Sequence, residues 1–198
     1  MIITVNDSGS WIKGDNTLAK LGLNLVTIPY GTEALGSDLA KLSSPLGEIE
    51  FASKVNKRQI GNGWRSWSHD YRGAVYFTNA STTLDLKLPN LIAFDFYAQP
   101  DVFLPFKLSA IAQSGTISEV LTQTVDGDSG AKYYGFYSDD PSDPIQAIRI
   151  TADEGSKGFA IGQMRGAATT IPSPALVPGM IAFSIGLWRK YRARTNWE

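Results

Sequence analysis

An all-β fold is the class this sequence predicts: a two-layer antiparallel β-sandwich, jelly-roll-like, with a separate hydrophobic helix at the C-terminus. Three observations predict it. Apolar residues alternate with period two through most of the chain up to residue 166. Turn-forming clusters interrupt them roughly every 10 to 15 residues. No long 3.6-residue period appears in that body, so the helical crossovers of a parallel sheet are missing.

The alternation runs as follows. In Thr82 to Leu88, Leu84, Leu86 and Leu88 share one face while Thr83, Asp85 and Lys87 share the other. Ile92, Phe94 and Phe96 stand against Asp95 and Tyr97; Phe106, Leu108 and Ala110 against Lys107 and Ser109; Ile148 and Ile150 against Arg149 and Thr151. Turns are expected at Pro89-Asn90, Gln99-Pro100-Asp101, Ser114-Gly115, Asp126 to Gly130 and Asp139 to Pro144. Further strands are expected at Leu23 to Ile28, Glu48 to Val55, Ala74 to Thr78, Ile117 to Val125, Lys132 to Tyr137 and Gly158 to Met164. Thr32 to Leu42 carries leucines at 35, 39 and 42 with helical spacing, which a short helix or a loop would accommodate equally. The expected core includes Leu84, Leu86, Phe94, Phe96, Phe106, Leu108, Phe136, Ile148, Ile150, Phe159 and Ile161.

At 198 residues the chain is one domain with room for an appendage, and 43% apolar against 19% charged residues suffice for a core. The absence of cysteine excludes a disulfide scaffold, a zinc ribbon and a thiol nucleophile. His69, the single histidine, cannot build a His-rich metal site. Residues 1–188 hold 14 basic and 18 acidic side chains, whereas the last ten hold four and one. A mildly acidic body argues against a nucleic-acid partner.

The C-terminal segment departs from this pattern. The expected division is a sandwich over 1–166, a Pro-containing linker over 167–174 and a hydrophobic helix with a basic tail over 175–198. Ala175 to Trp188 is fourteen residues without a charge, followed by Arg189, Lys190, Arg192 and Arg194. As a helix it would be roughly 21 Å long, short of the roughly 30 Å bilayer core, and would span with snorkelling and thinning. Burial against the sandwich is the alternative. Apolar residues on every side and the terminal basic cluster favour the membrane.

The order of Ile171-Pro172-Ser173-Pro174-Ala175, apolar segment and basic cluster resembles the C-terminal sorting signals of the PEP-CTERM type, most nearly the cyanobacterial variant with Pro-Thr-Pro-Ala. Ser173 stands where that variant has Thr, and no Glu lies between the prolines. The resemblance implies an exosortase-like processing enzyme as partner. It also implies transient anchoring in the membrane by the C-terminal helix, and a final location outside the cell or on its surface. The body resembles a family of secreted bacterial β-sandwiches of unassigned function over roughly residues 45 to 165. Gly63 to Gly73, Val75-Tyr76-Phe77, Phe94 to Tyr97, Tyr134 to Tyr137 and Gly158 to Gly162 carry that likeness. Met1 to Trp11 has no basic n-region and carries Asp7, so the start of an exported precursor is expected upstream of Met1.

Trp64, Trp67, His69 and Tyr71 form the densest aromatic cluster, with Arg65 as a flanking donor. Were Trp64 to Tyr71 extended, Trp67, His69 and Tyr71 would share a face with Arg65, a platform on which polysaccharide could stack, with Trp64 opposite. Tryptophans capping the core are the competing reading. His69-Asp70 beside Ser66 and Ser68 is no triad, because adjacent strand residues point apart. Nothing else in the pattern requires an enzyme. Asp126 and Asp128, two carboxylates at i and i+2, could begin a weak Ca²⁺ site or belong to a plain turn; no other cofactor is expected. The functional expectation is an exported, non-enzymatic cell-surface or extracellular-matrix protein, with carbohydrate binding around Trp67 as the alternative.

Overall fold

The computed structural model describes residues 1–6 and 17–169. The expected helix over 175–198 and the sorting residues Pro172, Ser173, Pro174, Ala175, Arg189, Lys190, Arg192 and Arg194 lie outside the described residues.

The fold is an all-β sandwich. Its strands are β1 (Ile2–Asn6), β2 (Val26–Thr27), β3 (Asp38–Ser44), β4 (Gly47–Ile60), β5 (Gly63–Trp64), β6 (Ala74–Phe77), β7 (Thr83–Pro100), β8 (Pro105–Gln113), β9 (Leu121–Asp126), β10 (Lys132–Ser138), β11 (Ile145–Ala152) and β12 (Phe159–Ala168). The described helices are α1 (Thr17–Lys20) and a single 3₁₀ turn at Glu154–Ser156. Every strand pairing is antiparallel except that of β5 with β4.

The eighteen-residue β7 organises both layers. Its first half, Thr83–Leu91, pairs with β11 on one side and with Glu50 and Phe51 of β4 on the other, in a layer completed by β8 and β9. Its second half pairs with β10 and β12, and β12 in turn holds β6 and β2. β4 also passes between layers, because its later residues Asn56–Arg58 pair with β6. Strands that change layer make the corners of such a sandwich.

Between the layers lies one large apolar core in which Leu84, Leu86, Phe94, Phe96, Leu108, Phe136, Ile148, Ile150, Phe159 and Ile161 are buried. Phe106 is partly buried against it. Phe96 and Tyr134 stack at 5.3 Å with 7° between their planes, and the Tyr134 hydroxyl donates across the core to the Leu108 carbonyl at 3.0 Å. The outward residues Asp85 and Arg149 face each other across strands as a two-bond ion pair of 2.7 and 3.1 Å.

Several expectations are corrected. Pro89-Asn90 is no turn: the strands on either side of it are one strand, and Asn90 takes the left-handed conformation (φ 46°) in a bulge opposite β11. Proline fits there because a bulge leaves it no ladder bond to donate. Asp95 and Tyr97 are not on a wet face, since eight consecutive residues from Ala93 to Pro100 are buried. Their side of the layer is covered by α1, by Leu23 and Leu25, and by the loop bearing Trp67, forming a second apolar cluster. Ile92 packs on that second cluster, not in the main core. The helix-like spacing near Leu39 and Leu42 belongs to β3, where a bulge after Leu39 turns both leucines inward, while Leu35 is exposed. Ala167 and Ala168, placed in the linker from the sequence, are the last residues of β12. The expected strand at Leu23 to Ile28 is reduced to β2, that at Ile117 to Val125 to β9, and β1 is an addition.

Candidate functional site

The segment from Trp64 to Tyr71 is not extended. His69 (φ 63°) and Asp70 (φ 55°) are left-handed and fold it into a turn, so its aromatic residues do not share one face. Trp64 is 7% exposed and donates from Nε1 to Gln99 Oε1 at 3.1 Å. Gln99 donates in return to Ser66 Oγ (2.9 Å) and to the Gly127 carbonyl (2.5 Å), locking this loop to the β9–β10 turn. Trp67 donates to Gln163 Oε1 at 2.8 Å and packs 6.2 Å from Tyr71. The Tyr71 hydroxyl donates to the Ala74 carbonyl at 2.8 Å, and burial, with Tyr30 beside it, pushes the phenol well above its usual range. His69 is partly buried and packs edge-on against Tyr97 at 5.0 Å. The cluster therefore divides: Trp64 and Arg65 face one hollow, and Tyr71, backed by Trp67, faces another.

Beneath the second hollow lies a polar network invisible to period-two reasoning. Asp95 on β7, fully buried, accepts from Arg165 Nε at 3.0 Å and Nη2 at 2.5 Å. The Tyr133 hydroxyl donates to the same carboxylate at 3.0 Å and accepts from the Leu18 amide at 3.3 Å. Burial drives the Asp95 carboxyl up to about 6, against the opposing pull of Arg165 and Tyr133. Asp95 and Arg165 are register partners on β7 and β12. Their sequence signal was one charge within each of two otherwise uncharged runs, Ala-Phe-Asp-Phe-Tyr and Gly-Gln-Met-Arg-Gly.

The hollow opens where β12 exchanges neighbours. Ala160 to Gly162 pair with β6, Arg165 and Gly166 pair with β2, and the ladder shifts register between. Gln163 takes the left-handed conformation at that seam (φ 51°), which is strained for a residue with a side chain. The resulting pocket of about 160 Å³ is lined by Thr27, Ile28, Tyr30, Tyr71, Tyr97, Gln163 and Arg165. Tyr30 is its exposed wall, standing 6.4 Å from Tyr71 at 62°.

The other hollow is larger, about 410 Å³, and shallow; Gly61, Gly63, Trp64, Arg65, Asp101 and Phe103 line it. The Arg65 guanidinium lies 5.0 Å from the Phe103 ring centre. In the β9–β10 turn Asp126 Oδ1 accepts from the Asp128 amide at 3.0 Å, an Asx turn. Among the described residues no three His, Asp or Glu side chains gather for a metal, and no helix is long and apolar enough to cross a membrane. No family model matches the chain, and no curated protein emerges as a relative.

Proposed function

We propose that this is an exported, non-enzymatic protein of the cell surface or extracellular matrix, held briefly in the membrane by its C-terminal segment until an exosortase-like enzyme processes it. The order of Pro172-Ser173-Pro174-Ala175, fourteen uncharged residues and a cluster of four basic residues carries the reading. Three residues separate Pro172 from the end of β12 at Ala168, the last strand among the described residues, so cleavage at the motif would leave the described sandwich whole. Intact-mass measurement on protein exported from a cell with such an enzyme tests it. A chain ending near Pro174 is expected; an exported chain retaining Arg189 to Glu198 overturns the proposal.

A second reading, carbohydrate binding, draws support from the two surface hollows that pair aromatic rings with a guanidinium. Retardation of the folded protein in gels containing polysaccharide would support it. Migration unchanged across neutral and acidic polysaccharides would remove it.

A further inference from the structure

The geometry points to the seam pocket lined by β2, β7 and β12 as a binding site for one neutral sugar residue, stacked on Tyr30 and hydrogen-bonded by Arg165. This inference rests on the carbohydrate-binding reading and narrows it to a place and a chemistry.

Size comes first. Pockets for drug-sized ligands run from roughly 300 Å³ upward, and about 160 Å³ admits a single small ring. Shape follows from the walls. The half-exposed Tyr30 ring and the Tyr71 ring meet at 62°, an open corner whose faces suit the C–H surface of a pyranose or furanose. Charge selects neutrality. Of the five N–H donors on a guanidinium, Arg165 commits two to Asp95. Its others can serve a ligand hydroxyl without disturbing that pair. A carboxylate ligand would draw the guanidinium off Asp95 and leave a fully buried carboxylate without its cation. The pair thus supplies donors to the pocket with no net charge. Rigidity is supplied by the seam: Gln163 is held left-handed, its amide oxygen fixed by Trp67, and backbone strain of this kind concentrates at ligand clamps.

The full chain should be titrated with methyl glycosides of neutral hexoses, pentoses and N-acetylhexosamines, and with methyl glucuronide, followed by amide NMR. Tyr30→Ala and Thr27→Trp serve as variants because Tyr30 and Thr27 are exposed, and melting temperature verifies that both remain folded. At least one neutral glycoside should shift the amides of Thr27, Ile28 and Gln163 to Arg165, with affinity falling about tenfold or more in each variant. Shifts confined to Arg65 and Phe103, a preference for the glucuronide, or affinity unchanged in both variants would each overturn the assignment while leaving carbohydrate binding intact. If neither glycosides nor polysaccharides bind, the broader reading falls with it.

Discussion

Arg165 grips Asp95 through two hydrogen bonds, 3.0 Å from Nε and 2.5 Å from Nη2, between strands paired in register. The two ends are unequally sealed: the Asp95 side chain is 1% exposed and that of Arg165 is 21% exposed. Removing the cation strands a carboxylate in the protein, whereas removing the carboxylate leaves a guanidinium that can turn toward water. Arg165→Met should therefore cost about 3 to 5 kcal/mol, and Asp95→Asn distinctly less. Urea unfolding of both variants measures this, and equal losses would contradict the asymmetry.

The same carboxyl gives the stability a pH dependence. Its folded pKa of about 6 lies above the ordinary 3.8, so the native state holds the proton more tightly than the unfolded chain. Protonation thus favours the fold as pH falls through 6, and the gain is complete below 3.8. Conversely, stability should decline between pH 4 and 6, by up to about 3 kcal/mol at 1.36 kcal/mol per pKa unit. The comparison of wild type with Asp95→Asn isolates this contribution. A wild-type curve parallel to that of the variant across the window would exclude it.

Asn90 is an exposed residue with φ 46° inside a continuous strand. Asparagine tolerates that conformation and a β-branched residue does not. Asn90→Gly should be neutral or slightly stabilising, and Asn90→Val should lower stability by about 1 to 2 kcal/mol. Thermal unfolding decides it; a valine variant as stable as wild type would mean that the bulge relaxes freely.

Leu86 is 1% exposed and pairs with Phe51 and Ile148, where β7 meets both its neighbours in the first layer. Leu86→Asp would place an unpaired charge there and should cost about 4 kcal/mol or more. An unchanged melting temperature would show that the strand is phased otherwise.

What could be read from the sequence was whatever followed period two over a single wet face. Leu84, Leu86, Ile148 and Ile150 obey it, and Asp85 and Arg149 meet on the solvent side as alternation requires. The rule failed where it met a bulge or a second covering layer. Register shifts at Leu39 and at Pro89-Asn90 interrupt the period-two order, which mimics helical spacing in β3 and a turn in β7. Asp95 and Tyr97 alternate correctly, yet their outward face is roofed by Leu18, Leu23, Leu25 and Trp67, residues distant in the chain. No local pattern reports a roof. The pocket escaped for the same reason, since Tyr30, Tyr97 and Arg165 come together only through the change of neighbours along β12.

Trp67 joins these threads, because it packs against both smaller apolar clusters and holds Gln163 at the strained seam. Its two roles can be separated. Trp67→Phe retains most of the packing but leaves Gln163 Oε1 without its donor, a loss of about 1 kcal/mol. Trp67→Ala also opens a cavity between the clusters and should cost about 3 kcal/mol. If the hydrogen bond positions Gln163 for a ligand, the phenylalanine variant should shift the amides of Gln163 and Met164 while the melting temperature falls only slightly. Comparable losses for both variants would instead make the indole N–H the main tie. A fully stable alanine variant would show that the loop from Arg65 to Gly73 is held by its other ties, among them Gln99 to Ser66 and Tyr71 to Ala74.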